Sequence, residues 1–205
     1  MLAACGNRSA TDTDSTTTSS TIIPVKVTAP VKVTAPPVTE PAKGSSSNPL
    51  PMGSASESVI QYVNPYSGST WKVELLGIIS IPELLDDGEP TQCVAVVGAL
   101  KAISANGSVA SAFDAPRVSF VNNGRVVDSG FNCDAKALET EGFGWLINTD
   151  VMVGSTTLFY DFAVLASSDI SGVTLVAVGT KGGDDTVFFA PNILLETPSN
   201  PDISI

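Results

Sequence analysis

Between Thr157 and Ala166 the chain reads TLFYDFAVLA. Leu158, Tyr160, Phe162 and Val164 recur at period two, the spacing that puts alternate side chains on one face of a strand, while Asp161 points to the other. The stretch predicts a strand with a core side and a wetter side, and so a sheet that covers a core.

Working outward, five more runs have the same character: WKVELLGIIS (Trp71–Ser80), QCVAVVGALKAI (Gln92–Ile103), PRVSFVN (Pro116–Asn122), GVTLVAVG (Gly172–Gly179) and TVFFA (Thr186–Ala190). Each is rich in Val, Ile or aromatic residues and is bounded by Gly, Pro, Asn or Asp. In SFVNNGRVVD the dipeptide Asn123-Gly124 stands between two apolar runs, a strong hairpin signal because both residues tolerate positive φ. No stretch holds a 3.6-residue apolar period, although Asp134–Glu141 (DAKALETE) suits a short helix or turn. Short strands spaced in this way predict an all-β, antiparallel β-sandwich. It occupies residues 57–196, followed by a C-terminal tail at 197–205, and roughly 150 residues are enough for one domain with its own core.

The first fifty-odd residues differ in kind. From Gly6 to Ser56 they are dominated by Ser, Thr, Pro, Ala and Val, and PVKVTA occurs twice in succession, at Pro24–Ala29 and Pro30–Ala35. A six-residue Pro-rich unit stacks no core, so the segment reads as a low-complexity, disordered tether over 6–56. Its reach is about 40 Å as a flexible coil and up to about 150 Å as stiff polyproline II. Thr with Pro also matches the composition of O-glycosylated stalks, with a bare spacer as the other reading.

Leu2-Ala3-Ala4-Cys5-Gly6 resembles the lipobox of bacterial lipoproteins. That resemblance implies a diacylglyceryl group, with its palmitate-type chains, on the Cys5 thiol, and cleavage just before it. A basic and apolar leader is expected ahead of such a site, and only Met1–Ala4 stand there. Residues 1–5 are accordingly read as the remnant of a signal peptide whose true start lies upstream; an ordinary thiol at Cys5 is the alternative. Two or more acyl chains at about 0.8 kcal/mol per buried CH₂ hold a protein on a membrane without spanning it.

The order of segments in the folded part is similar to the immunoglobulin-like domain of the mycobacterial immunoprotective extracellular protein family and related lipid-anchored Gram-positive domains of no assigned function. The residues that carry it are WKVELLG, QCVAVVGALKAI, VSFVNNGRVV, VMVGSTTLFYDFAVL and VTLVAVG, across most of Trp71–Ala190. It implies an immunoglobulin-like β-sandwich and an extracytoplasmic life, and no catalytic residue.

Charge narrows the function classes. Six Lys and Arg stand against eighteen Asp and Glu from Glu57 onward, and four against three before it, which together give the net −11. An acidic domain is unsuited to nucleic acid or an anionic lipid face; solvation is the plain reading of such a surface, and attraction of a cationic partner the other. With no histidine, Ser-His-Asp and Cys-His nucleophile systems and His-containing metal sites are absent. Cys93 and Cys133 then read as a disulfide, with two buried free thiols as the alternative, and no structural metal is expected.

The remaining motifs read mostly as structure. Asp86-Asp87-Gly88-Glu89 and Gly183-Asp184-Asp185 are acidic turns without the ligand spacing of a calcium loop. Ser69-Thr70-Trp71-Lys72 matches S-x-x-K, but it leads into a strand and no S-D-N or K-T-G follows. Tyr62, Tyr66, Trp71, Phe143 and Trp145 suit core packing first, and a sugar or peptide groove second. Asn7-Arg8-Ser9 and Asn106-Gly107-Ser108 are sequons only in a eukaryotic secretory setting. The expectation is a non-enzymatic, lipid-anchored interaction module on the extracytoplasmic face of a bacterial membrane, also open to release, with no cofactor and a protein, peptide or cell-wall partner. A surface antigen or stalk without ligand is the alternative, and an enzyme acting on envelope components the second.

Overall fold

Two long neighbouring strands organise the domain. β3 (Thr70–Ile81) and β4 (Gln92–Ser104) pair antiparallel from Trp71↔Ala102 to Ile81↔Cys93, with a register shift between Leu75 and Gly77. In this computed structural model, residues 40–53, 57–84, 91–128, 130–166, 169–180, 183–199, 201 and 203–205 are described. β10 (Thr156–Leu165) pairs with the other side of β4, from Thr156↔Lys101 to Leu165↔Gln92. Three short strands complete this six-stranded sheet. β2 (Val59–Val63) and β13 (Ile193–Leu194) both pair with β3, and β8 (Gly144–Trp145) pairs with β10.

The second sheet has five strands in the order β1-β12-β11-β6-β7: β1 (Leu50–Pro51), β12 (Val187–Ala190), β11 (Val173–Gly179), β6 (Arg117–Asn122) and β7 (Arg125–Asp128). β6 and β7 form the expected hairpin, closed by Asn122↔Arg125, with φ of 49° at Asn123 and 75° at Gly124. That is the left-handed pair that a two-residue turn of this hand requires. β5 (Val109–Ala110) and β9 (Val151–Met152) make a separate two-stranded ribbon. The fold is the antiparallel β-sandwich that the strand pattern predicts.

Alternation along each strand builds the main core between the sheets. Trp71, Val73, Leu75 and Ile78 of β3, Val94, Val96 and Leu100 of β4, and Phe159 of β10 meet Val118, Phe120, Val176, Val178 and Phe189 of the opposite sheet. Gly98 lies in β4 beneath the Phe159 ring; a Cβ there would run into the Glu74 carbonyl oxygen and sit 2.8 Å from that ring, so only glycine lets the aromatic settle.

The outer face of the six-stranded sheet is also covered, which corrects the expectation drawn from TLFYDFAVLA. Leu158, Tyr160, Phe162 and Val164 share a face as expected, but it is the outer one, and they join Ile79, Ile81, Ala95, Val97, Leu138 and Phe143 in a second core. The opposite face carries Phe159, Ala163 and Leu165 into the main core, so neither side of β10 is wet. The cover is the segment 131–145, including α1 (Lys136–Thr140), where the sequence suggested a short helix. Asp161 is 1% exposed rather than solvated. Its Oδ1 accepts from the Trp145 indole Nε1 at 3.2 Å and from the Phe162 amide at 3.0 Å, which satisfies a carboxylate that burial would otherwise penalise.

The Cys93–Cys133 disulfide pins that cover, with the two Cα atoms 5.7 Å apart. It joins the start of β4 to the segment ahead of α1, on the outer side of one sheet. Antibody domains instead bridge their two sheets.

Both ends of the domain reach beyond the compositional boundaries. Leu50 and Met52 are buried, and Leu50–Pro51 pairs with Phe189–Ala190, within the stretch assigned to the tether over 6–56. In the stretch assigned to the tail, the Ser204 amide donates to Glu74 Oε2 at 2.8 Å, and Glu74 is buried. Among the described residues no helix is long and apolar enough to cross a membrane.

Candidate functional site

The five-stranded sheet turns a second apolar face outward. Alternation that sends Val118, Phe120, Val176, Val178 and Phe189 into the core sends Arg117, Ser119, Val121, Ala177 and Phe188 to the other side. Registers align them into rows across the sheet: Phe188↔Ala177↔Ser119↔Asp128, and beside it Leu175↔Val121↔Val126. The first row, with Val121 and Val126 of the second, lines a groove of about 710 Å³ together with Gly183, Asp184 and Thr186 of the β11–β12 turn. Val126 is 68% exposed.

The turn that forms one wall is held by its own side chains. Asp185 accepts from the Thr180 amide through Oδ1 at 3.2 Å and from the Thr180 hydroxyl through Oδ2 at 2.8 Å. Thr186 donates to the Gly183 carbonyl at 2.9 Å. Across the β6–β7 pair the Ser119 hydroxyl donates to Asp128 Oδ1 at 3.1 Å. Lys181 and Gly182 lie outside the described residues.

A smaller aromatic pocket of about 260 Å³ adjoins the groove and shares Arg117 and Thr180 with it. Tyr62, Tyr66 and Phe113 line it. Asn64 builds this corner: its Oδ1 accepts from the amides of Tyr66 and Ser67, and its Nδ2 donates to the Asp114 carbonyl. Tyr66 is thereby presented 89% exposed, with Phe113 77% exposed nearby. The Tyr62 hydroxyl lies 3.1 Å from Thr180 Oγ1. Burial pushes the Tyr62 phenol above its ordinary range; the Thr180 hydrogen bond opposes this, and the charges of Asp185 and Asp114 add to it.

The aromatics singled out in the sequence divide between these places. Tyr62 and Tyr66 meet in the pocket, whereas Trp71 is fully buried between the sheets and Phe143 and Trp145 belong to the second core. Ser69 of the S-x-x-K match is buried, and its Oγ accepts from the Trp71 Nε1 at 3.1 Å, a structural bond. Asn106 donates through Nδ2 to the Ser67 carbonyl at 3.4 Å. Of the acidic turns, Gly183-Asp184-Asp185 walls the groove, and Asp86-Asp87-Gly88-Glu89 lies outside the described residues, as do Cys5 and Asn7-Arg8-Ser9. Cys93 and Cys133 form their disulfide. Among the described residues no three His, Cys, Asp or Glu side chains gather as a metal site.

Phe113, Val126 and Phe188 were not anticipated as surface residues. The available signal was the unbroken apolar run LVAV at 175–178 and VFF at 187–189, since a strand apolar on both faces reads as a run and not as an alternation. No family model, curated protein or solved structure matches this chain.

Proposed function

We propose that the protein is a non-enzymatic interaction module of a bacterial cell envelope, held on the extracytoplasmic face of the membrane by a lipid on Cys5, and that it engages its partner through the outer face of the five-stranded sheet. The observation that carries this reading is the contrast between the sheets. The outer face of one is sealed by the 131–145 segment and a disulfide, while the other offers an apolar groove running into a pocket with two exposed aromatics. An apolar concavity of this kind, rimmed by polar groups, is what recognition sites on soluble domains look like. The lipobox and the disulfide support the address, because disulfides persist outside the reducing cytoplasm.

Two measurements test it. With the gene extended upstream, intact mass of the membrane fraction should give a species beginning at Cys5 with added acyl mass, absent in Cys5→Ala; an unmodified chain retaining Met1 sinks the anchor. A photo-crosslinking residue at Val126, compared with one at Leu195, which is 95% exposed away from the groove, should give discrete adducts at the first position in intact cells. Equal labelling at both, or none, sinks the binding face.

A further inference from the structure

We infer that Asn106 is a site of spontaneous covalent modification, its side-chain amide lost through a cyclic imide with Gly107 and with water as the co-reactant. This stands on the chemistry of one dipeptide and not on the interaction reading above. Asn-Gly is the pairing in which the step meets least obstruction, because glycine has no side chain to crowd its nitrogen or restrict its backbone. The chain holds two such pairs, Asn106-Gly107 and Asn123-Gly124, and the fold treats them differently.

The Gly107 backbone nitrogen attacks Asn106 Cγ and gives up its proton to solvent. The new C–N bond closes a five-membered imide, and the side-chain nitrogen departs as ammonia. Water then opens the ring at either carbonyl, leaving an aspartyl residue or an isoaspartyl one whose backbone runs through the former side chain. One water is consumed and one ammonia released, with nothing oxidised or reduced. Closure needs the glycine nitrogen swung to the Cβ side of the asparagine. Residues 106–108 form an exposed bend between β4 and β5. No group among the described residues accepts from the Gly107 amide, and a Cβ built on Gly107 would meet nothing within 4 Å. The peptide there has room for that rotation. The tie on the departing amide is a long one, from Nδ2 to the Ser67 carbonyl at 3.4 Å.

Asn123 is held the other way. With φ of 49° and 75° at Asn123 and Gly124, the hairpin turn is the mirror image of type I, which sets ψ of its first central residue at about +30°. That ψ points the Gly124 nitrogen away from the Asn123 side chain. The Asn122↔Arg125 pair closes the turn, and the Asn123 amide donates to the Gly172 carbonyl at 3.1 Å. The hairpin must therefore open before the ring can form. Reaction at Asn106 also reaches the aromatic pocket: a carboxylate has no donor for the Ser67 carbonyl, and Ser67 follows Tyr66, the most exposed ring there.

Trypsin separates the two sites, since cleavage after Lys101, Arg117 and Arg125 puts them on peptides 102–117 and 118–125, and Asn106 carries the one side-chain amide of the first. The full 205-residue chain is incubated in mildly alkaline buffer, with and without urea, and both peptides are followed by mass. In the native chain 102–117 should gain the mass of an amide-to-acid exchange at least about tenfold faster than 118–125, because the second site reacts only from the opened hairpin. Its products should separate into aspartyl and isoaspartyl forms on chromatography, and in urea the two rates should draw together. Asn106→Gln should hold 102–117 at its starting mass. Equal native rates or a faster 118–125 overturn the inference, as does a native 102–117 that stays unchanged while the urea sample converts. Chymotrypsin should cut after Tyr66 several-fold faster in Asn106→Asp than in the fresh chain, because the turn has lost its tie; equal cleavage overturns the link to the pocket and leaves the modification standing.

Discussion

Gly98 and Tyr160 show how single side chains set the two cores. Gly98→Ala drives a methyl against the Glu74 carbonyl and the Phe159 ring, both within 3 Å of the new atom. Overpacking of this sort costs about 1–3 kcal/mol, and the expected result is a lower urea midpoint with an unchanged slope; an unchanged midpoint would show that the ring has room to move. Tyr160 donates to Glu139 Oε1 at 3.0 Å, and its phenol is held well above the ordinary tyrosine value, by burial first and then by that bond and the nearby carboxylates. The fold therefore favours the neutral phenol. Its contribution is present in full below the ordinary value of 10.0 and is lost as pH climbs beyond it. Melting temperature measured from about pH 8 to 12 should fall more gently in Tyr160→Phe; parallel curves would rule that contribution out. Asp161 marks the limit of sequence reading at this scale. Alternation separated it correctly from Tyr160 and Phe162, but its burial depends on an indole sixteen residues upstream, and no local pattern encodes that partnership.

At the scale of elements, the six longer runs were legible to within a residue or two because their Val, Ile and aromatic residues are sharply punctuated, whereas two-residue strands such as β5 and β9 carry too short a pattern to read. QCVAVVGALKAI predicted Gln92–Ile103 and the strand is Gln92–Ser104. The Asn123-Gly124 hairpin was legible for the same reason. Gly124→Ala forces a side chain into positive φ, at a cost of about 1–2 kcal/mol, visible as a lower melting temperature; Gly124→Asn should recover part of it. What the sequence could not announce was that the 131–145 segment lies over a sheet, because its aromatics have meaning only against Tyr160 and Phe162. Trp145 stacks on Phe162 with centroids 5.3 Å apart, and Phe131 meets Trp145 edge-on at 5.8 Å. The disulfide holds this cover with a sequence separation of 40, worth about 3–4 kcal/mol by loop closure. Cys93→Ser with Cys133→Ser should lose about that much. Its fluorescence change should come from Trp145 and not from Trp71, and a Trp145→Phe background separates the two; a change that persists in that background would contradict the local role.

For the whole molecule, charge and covering work on different sides. A folded part with six basic and eighteen acidic residues repels itself, so raising NaCl from about 0.02 M to 0.5 M, which shortens the screening length from about 20 Å to a few ångströms, should raise the melting temperature. A fall with salt would mean that paired charges outweigh the repulsion. The groove was barely legible at this scale: Tyr62 and Tyr66 read as core first and a groove second, and the Asp184 turn as a solvated one, while the meeting of that turn with Phe188 and Val126 follows from which strands become neighbours, a property of topology. The sealed sheet has a consequence of its own. β4 lies between β3 and β10, with a packed layer above it and another below. From Cys93 to Leu100 its residues are buried, so in heavy water the backbone protons there should be the last in the chain to trade for deuterons. They do so only when the entire domain opens, and their exchange clock reads the global stability directly.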